Sequence, residues 1–332
     1  MEKITADNFI TDNRTNKVFI SSLIDKYSGN LEAETRAQLK LSIKKFCPNC
    51  ELLYNTMDVW ARDYMPIQLT KDTFLSFTYK PDYLNDYPES ITNWQLHNVH
   101  TQKQLVKNEH FDFKVVQIPI ILDGGNFVKA VVNGNPCIIM CEKVLEENNV
   151  SEEDFCNWWE KWWKDNFDGT EMDLVLLPWE REDIDPFGHA DGVVRYVSEG
   201  KVLLTNYGDY EDLNYPVSLY IDRLKGHGFD VNVLSYKNHF DYKRNKTYRL
   251  LFNYSWCYIN YLQLGNRILV PSLGYKPLDH EALQQIDKSF NANGHIADIK
   301  LIDVDMTSIV EDMSDVKNSG GALNCLTWTI KE

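Results

Sequence analysis

The chain repeats itself. Polar or glycine-rich openings, each running into an apolar strand-like stretch, begin at Asp58 (DVWARDYMPIQL), Asp123 (DGGNFVKAVV), Gly188 (GHADGVVRYV), Ser255 (SWCYINYLQL) and Gly320 (GGALNCLTWTI), at steps of 65, 65, 67 and 65 residues. A period this regular confines the fold to an array of like units. After each opening come a turn signal, a second apolar strand, a helical stretch and a third short strand. Following Gly188 these are 198–200, KVLLTNY, PVSLYIDRLKGHG and FDVNVLSY; following Ser255, 264–266, RILVPSL, DHEALQQIDKSFNANG and IKLIDV. The Asp123 unit continues with PCIIMC, SEEDFCNWWEKWWKDNF and DLVLL, and the Asp58 unit is a looser copy through FLSFTYK and FKVVQIP. The fifth unit lacks its later elements. KVFISSLIDK, LEAETRAQLKLSIKKF and ELLYN, before Asp58, supply them. The expected architecture is an α/β ring of five modules, one domain over residues 1–332, closed by pairing the C-terminal strand with the N-terminal one. Such closure removes exposed sheet edges.

In a ring of this kind the first strand of every module lines the central axis, and the residues that break the repeat fall there. Trp60, Arg62 and Asp63 lie in the first unit, Asp123 and Asn126 in the second, His189 and Asp191 in the third, Asn260 in the fourth and Cys325 in the fifth. His189 and Asp191 are two apart in a run that reads as a strand, so alternation puts imidazole and carboxylate on one face. A hydrogen-bonded polar face on a half-exposed strand is the plain alternative. Non-repeating polar residues on repeated inner strands point instead to a site at the axis.

The residue types suggest its chemistry. Cys325 follows two glycines and Ala322, where backbone can approach a ligand closely. A thiolate nucleophile needs a general acid or base close in space, and His189 is the candidate. Asp63 and Asp191 exceed what a simple Cys-His hydrolase requires. They suit a planar guanidinium, whose N–H fork matches carboxylate oxygens in pairs. The alternative for Asp63 is a salt bridge to the adjacent Arg62.

Composition excludes other classes. A formal net charge of -15 argues against a nucleic-acid partner, which needs basic surface. Neither a signal segment nor a membrane-length apolar run is evident, and seven cysteines suit reduced thiols better than a disulfide framework, so the chain reads as soluble and cytoplasmic. CPNC (Cys47 to Cys50) has the spacing of half a zinc site or a redox pair, and Cys137 and Cys141 would share a strand face. The ligand set for a metal is too short, and all four read as buried thiols. The WWEKWW run places Trp158 and Trp162 on one helical side and Trp159 and Trp163 beside them, a broad apolar surface for the core or an oligomer contact. No glycine-rich phosphate loop is present.

WARDYMP, LDGGN, GHADGVVR, YIN and GGALNC, in this order, resemble the agmatine deiminases and bacterial peptidylarginine deiminases, members of the guanidine-modifying superfamily with the five-bladed pentein propeller. The resemblance spans roughly residues 50 to 328. It implies that Cys325 is the nucleophile, His189 the acid/base, and Asp63 and Asp191 the guanidinium-binding carboxylates, with Trp60, Asp123, Asn126 and Asn260 lining the site. Met65, Asp123 and Asn324 depart from the Gly, Glu and His common at these positions in the family. The implied reaction is hydrolysis of a guanidino group to a ureido group with loss of ammonia, without metal or organic cofactor. The expected substrate is agmatine, giving N-carbamoylputrescine on a route to putrescine. The rivals are peptidylarginine or arginine deiminase, an amidinotransferase on the same fold, or a non-catalytic binder of cationic ligands. Arg62 and Arg195, close to the catalytic stretches, are the groups that could clasp a substrate carboxylate.

Overall fold

The Val-, Ile- and Leu-rich runs of the repeat fit strands; the runs that form the second strand of each unit are buried on both faces, while several third strands keep exposed positions. The computed structural model describes residues 1–25, 33–56, 58–81, 114–179, 187–209, 217–236, 251–292, 297–311 and 321–332. Gly320, which opens the fifth unit, lies outside them, as do residues 31 and 32. In chain order, β1 (Lys17–Ser21), α1 (Ala33–Phe46) and β2 (Glu51–Leu53) precede the first opening, which holds α2 (Ala61–Tyr64). Then come β3 (Ile67–Gln68), β4 (Thr73–Thr78) and β5 (Lys114–Ile121). The next unit has β6 (Val128–Val132), β7 (Asn135–Cys141), α3 (Lys143–Glu147), α4 (Glu152–Asn166) and β8 (Asp173–Leu177). The third has β9 (Val194–Ser198), β10 (Lys201–Leu204), α5 (Val217–Gly226) and β11 (Asp230–Val233). The last elements are β12 (Leu262–Leu264), β13 (Arg267–Val270), α6 (Lys276–Asn291), β14 (Asp298–Leu301), α7 (Thr307–Glu311), α8 (Leu323–Leu326) and β15 (Thr327–Ile330).

These strands make five three-stranded sheets, each built alike. A middle strand (β1, β4, β7, β10 or β13) pairs antiparallel with one neighbour and parallel with the other. A parallel partner requires a crossover, and α1, α4, α5 and α6 supply it in four of the units. The expected N-to-C pairing is present: β1 runs antiparallel to β15, with Lys17 opposite Ile330 and Ile20 opposite Thr327.

Helix α4 shows how sequence sets a boundary. Ser151 caps it, its hydroxyl accepting from the Asp154 amide at 3.1 Å, and Glu152, Glu153 and Asp154 complement the positive helix end. Trp159 and Trp163 are buried, while Trp158 and Trp162 are partly covered against the same cluster. The tryptophan run therefore serves the core. All seven cysteines are free; Cys47, Cys50, Cys137 and Cys141 are buried. No helix among the described residues is long and apolar enough to cross a membrane.

One expectation needs correction. The repeated openings are helical turns, and the strands start only after them. Ala61–Tyr64 and Leu323–Leu326 are single α turns; Gly124–Asn126, Ala190–Gly192 and Ser255–Ile259 are 3-10 turns. Glycine, Asp and Asn favour such turns over pleated strand, and Pro66 forces Met65 into the extended region, which ends α2. His189 and Asp191 therefore do not share a strand face: His189 is the extended residue before a turn and Asp191 lies within it. The turns pack in succession. The 124–126 turn meets both α2 and the 190–192 turn, the latter meets the 255–259 turn, and α8 packs on α2.

Trp328 on β15 is 2% exposed, packs against Phe19 and Phe74, and donates its indole N–H to the Pro66 carbonyl at 2.7 Å. It therefore ties the β15–β1–β2 sheet to the β3–β4–β5 sheet. Trp328→Ala is expected to cost about 3–5 kcal/mol of unfolding free energy. Trp328→Phe, which keeps a ring but orphans the carbonyl, should cost about 1–3 kcal/mol. Urea denaturation of both variants checks the order and size of the losses.

Candidate active site

Four of the five turns contribute side chains to one buried cluster. Asp63 comes from α2, Asp123 from the residue capping the 124–126 turn, His189 and Asp191 from the next turn, and Cys325 from α8. All five are buried. His189 Nε2 is 3.0 Å from Asp123 Oδ2, and His189 Nδ1 is 3.6 Å from Asp63 Oδ1. The Cys325 thiol reaches Asp191 Oδ2 at 3.6 Å.

Gly125 marks the point of convergence. Its amide donates to Asp63 Oδ1 at 3.0 Å. A Cβ built on it would lie 2.7 Å from Asp63 Oδ1, 2.8 Å from His189 Nδ1 and 3.2 Å from Asp191 Oδ1. Two carboxylates and an imidazole thus face the same small volume, and only a residue without a side chain leaves it free. Asp191 Oδ1 is buried and has no hydrogen-bond partner among the described residues. Trp60 walls the thiol side: a Cβ on Gly321 would be 2.6 Å from the Trp60 ring and 2.7 Å from Cys325 Cβ.

Three asparagines hold these turns together. Asn260 Oδ1 accepts from the backbone amides of Ala322, Asn324 and Cys325 at 3.1–3.2 Å, and its Nδ2 donates to the Asp191 carbonyl at 3.4 Å. Asn126 exchanges hydrogen bonds with the Cys141 backbone and also accepts from the Ala190 amide. The sequence places both among residues lining the site; here their amides are committed to backbone. Asn324 was legible only as a departure from a family pattern. It donates to Asp191 Oδ2 at 2.6 Å and accepts from Arg62 Nη2 at 3.1 Å, so it fixes the carboxylate beside the thiol.

The two arginines are also committed within the protein. Arg62 turns to Asn324 and Thr329 rather than to Asp63, which sets aside the adjacent salt bridge. Arg195 points away from the cluster: it meets Asp12 at 2.9 Å, donates to the Tyr261 carbonyl at 3.0 Å and lies 4.5 Å over the Tyr261 ring. The cause is the strand, which rises about 3.3 Å per residue and carries position 195 out of reach of its turn. A cleft of about 590 Å³ lies elsewhere, lined by Arg14, Cys47, Asn49, Arg267 and Lys331 among others, and none of the clustered residues lines it. No group of three or more His, Cys, Asp or Glu suited to a metal ion occurs among the described residues.

The electrostatics follow from crowding. Burial alone would lower the His189 pKa, but Asp63, Asp123 and Asp191 outweigh it and raise it to about 9. Burial, together with Asp191, Asp123 and Asp58 and against the pull of His189, pushes Asp63 up to about 7. Burial and the same negative neighbours, Asp191 and Asp63, hold the Cys325 thiol well above its ordinary range. At neutral pH the cluster therefore contains an imidazolium and an un-ionised thiol.

The sequence from residue 16 to 330 matches the Porphyromonas-type peptidyl-arginine deiminase family, and the chain belongs to that family. Solved structures share its fold at low identity. The C. jejuni agmatine deiminase aligns with a TM-score of 0.66 at 17% identity, covering 98% of this chain and 96% of the other. The agmatine deiminase of Enterococcus faecalis aligns at 0.65 and 18%, covering 100% of both. SxtG, an amidinotransferase from Microseira wollei, aligns at 0.53 and 12%, covering 98% and 97%. These pentein-fold relatives share the mixed α/β architecture. No curated protein matches the chain significantly in sequence.

The raised His189 pKa makes a prediction with a definite sign. A histidine raised from 6.5 to about 9 contributes stability fully present below 6.5 and lost as pH rises through 9. Asp63, raised instead, costs stability that is fully developed above about 7 and so is constant beyond it. Because His189 itself holds Asp63 down, both proteins carry Asp63→Asn: the stability difference between this background and its His189→Gln variant is expected to fall as pH rises from about 7 to 9. Taking the difference cancels Lys129, which burial lowers to about 8 and which moves stability the other way. Urea unfolding of both proteins across that range checks it.

Proposed function

We propose that the protein is a guanidine hydrolase acting on agmatine, giving N-carbamoylputrescine and ammonia on a route to putrescine. The observation that carries this reading is the pair Asp63 and Asp191 around Gly125, with one buried carboxylate oxygen unpartnered among the described residues, next to a buried thiol. Buried negative charge without a cation is costly, and a planar guanidinium supplies both the charge and the N–H fork.

The chemistry proceeds as follows. A guanidinium seated between Asp63 and Asp191 brings positive charge to the thiol, lowers its pKa and displaces its proton to solvent. The Cys325 thiolate attacks the central carbon. His189, held protonated, donates to the nitrogen that departs as ammonia, leaving a thiouronium on Cys325. Neutral His189 then takes a proton from water as the oxygen adds to that carbon. Collapse expels the thiolate, the protonated urea sheds its proton to solvent, and the ureido product leaves with His189 again charged. Asp123 keeps the imidazole oriented throughout.

Agmatine is favoured over free arginine because Arg62 and Arg195 are both engaged within the protein and neither is free to clasp a carboxylate. The agmatine deiminases among the structural relatives support the same choice. The family's name supports a second reading, an arginine within a peptide, which also lacks a free carboxylate. The proposal includes a ring of five modules forming one catalytic domain, sealed at the β1–β15 pairing, and a cytoplasmic enzyme of small cations.

The test is kcat/KM on agmatine, free arginine and arginine peptides, with ammonia and ureide measured separately. Agmatine is expected to lead, and a preference for an α-carboxylate would overturn the choice. Cys325→Ala should abolish ammonia release with the fold retained. Asp63→Asn and Asp191→Asn should each lose about 2–5 kcal/mol of transition-state stabilisation; unchanged values for both would dismiss the guanidinium clamp. Gly125→Ala, whose methyl enters the shared volume, should lose turnover while unfolding with the same cooperativity. The kcat/KM profile should rise through about pH 7 as Asp63 ionises and fall through about 9 as His189 loses its proton.

A further inference from the structure

Behind His189 stand two buried charges that this reaction does not use. Lys143 opens α3, and its side chain is 1% exposed. An ammonium is seldom buried so deeply without anions to meet it. Its Nζ lies 3.3 Å from Glu147 Oε1, one helical turn on, and 3.8 Å from Asp123 Oδ2. That Asp123 oxygen is the one facing His189 Nε2 at 3.0 Å. The lysine stem runs against Gly188, immediately before the histidine: a Cβ built there would be 2.8 Å from both Lys143 Cβ and Cδ. The Trp179 ring, 6.0 Å from Nζ, lies against the ammonium. Glu147, Lys143, Asp123 and His189 thus form a buried line of alternating charge that ends at the proton carrier.

We propose that Lys143, braced by Glu147, is a positioning residue for the acid–base step: it draws on Asp123 from the side away from His189 and divides that carboxylate's charge between its ammonium and the imidazole. Among the described residues, Asp63, Asp123 and Asp191 face His189, with Cys325 beyond Asp191, and Asp123 and Glu147 face Lys143. With three carboxylates near it, an imidazolium risks holding its proton too firmly to release it to the leaving nitrogen. Lys143 opposes that excess. Glu147 limits the opposition by sharing the ammonium. The role rests on His189 carrying the proton in the reaction proposed above.

The two substitutions pull in opposite directions, which a merely structural role would not produce. Without the ammonium, Asp123 acts undivided on His189; without the Glu147 charge, Lys143 acts undivided on Asp123. The experiment is a pH titration of the His189 imidazole by NMR, using isotope-labelled histidine, in the wild type, Lys143→Met, Lys143→Arg and Glu147→Gln. The His189 midpoint is expected to move up by about one pH unit in Lys143→Met and down by a smaller amount in Glu147→Gln, on the scale of one neighbouring charge, and to stay in place in Lys143→Arg. Shifts of the same sign, or no shift in folded protein, would overturn the proposal. If Lys143→Met does not fold, Glu147→Gln decides alone, a downward shift supporting the role and an unmoved midpoint refuting it. The basic limb of kcat/KM should follow the NMR midpoint. Opposed NMR shifts in a protein that releases no ammonia from any guanidine would sink the enzymatic reading and leave the charge coupling standing.

Discussion

Three carboxylates, Asp63, Asp123 and Asp191, are buried around a single imidazole, and most of what is distinctive in this protein answers that excess of negative charge. An isolated buried carboxylate would simply take up a proton. Here the charge is distributed: His189 is driven up to about 9, Asp63 rises to about 7, and the Cys325 thiol is kept un-ionised. The field that holds the thiol dormant is the same field that attracts a cation. In the proposed reaction this keeps the thiol quiet until a cation arrives, since the thiolate alone is the reactive form.

Holding such a cluster together requires a frame that does not relax, because a small outward movement would hydrate and separate the charges. The frame is a set of short turns, each at the mouth of a strand, joined by asparagine amides and, between α2 and the 124–126 turn, by the Gly125 amide on Asp63. Asn126 joins the 124–126 turn to β7 and to Ala190; Asn260 joins the 190–192 turn to the turn bearing Cys325; Asn324 completes the path back to Asp191 and Arg62. A carboxamide suits this work, having donors and an acceptor on one rigid plane and no charge to add to the cluster.

Much of this was legible in the sequence because it is periodic. The repeat of polar openings marks the five units, and of the residues that depart from it Asp63, Asp123, His189, Asp191 and Cys325 converge with Trp60 beside them, while Arg62, Asn126 and Asn260 are tied into the frame. The local geometry is less legible because a run such as GHADGVVRYV is apolar only in its second half, and its Gly-Asp portion follows turn chemistry. Arg195 shows the same limit, since its position on the repeat is right and its distance from the turn carries it elsewhere. The parts of Asn126 and Asn260 could not be read from residue type, because an amide facing a ligand and an amide tying backbone look alike in sequence. Lys143 gave no signal at all: a lysine entering a short helix is ordinarily a solvated residue.

The pairing of β1 with β15 has a consequence for how the protein comes into being. Lys17 meets Ile330 and Ile20 meets Thr327, contacts that span almost the whole chain, and α8, with Cys325, leads directly into β15. Contacts of such long sequence separation form late, because the closure entropy must be met before they stabilise anything. The three amides that Asn260 gathers belong to that same final segment. A partly folded chain can therefore own four of its sheets and still have no thiol beside Asp191, so that under the proposed chemistry turnover would report complete assembly of the fold.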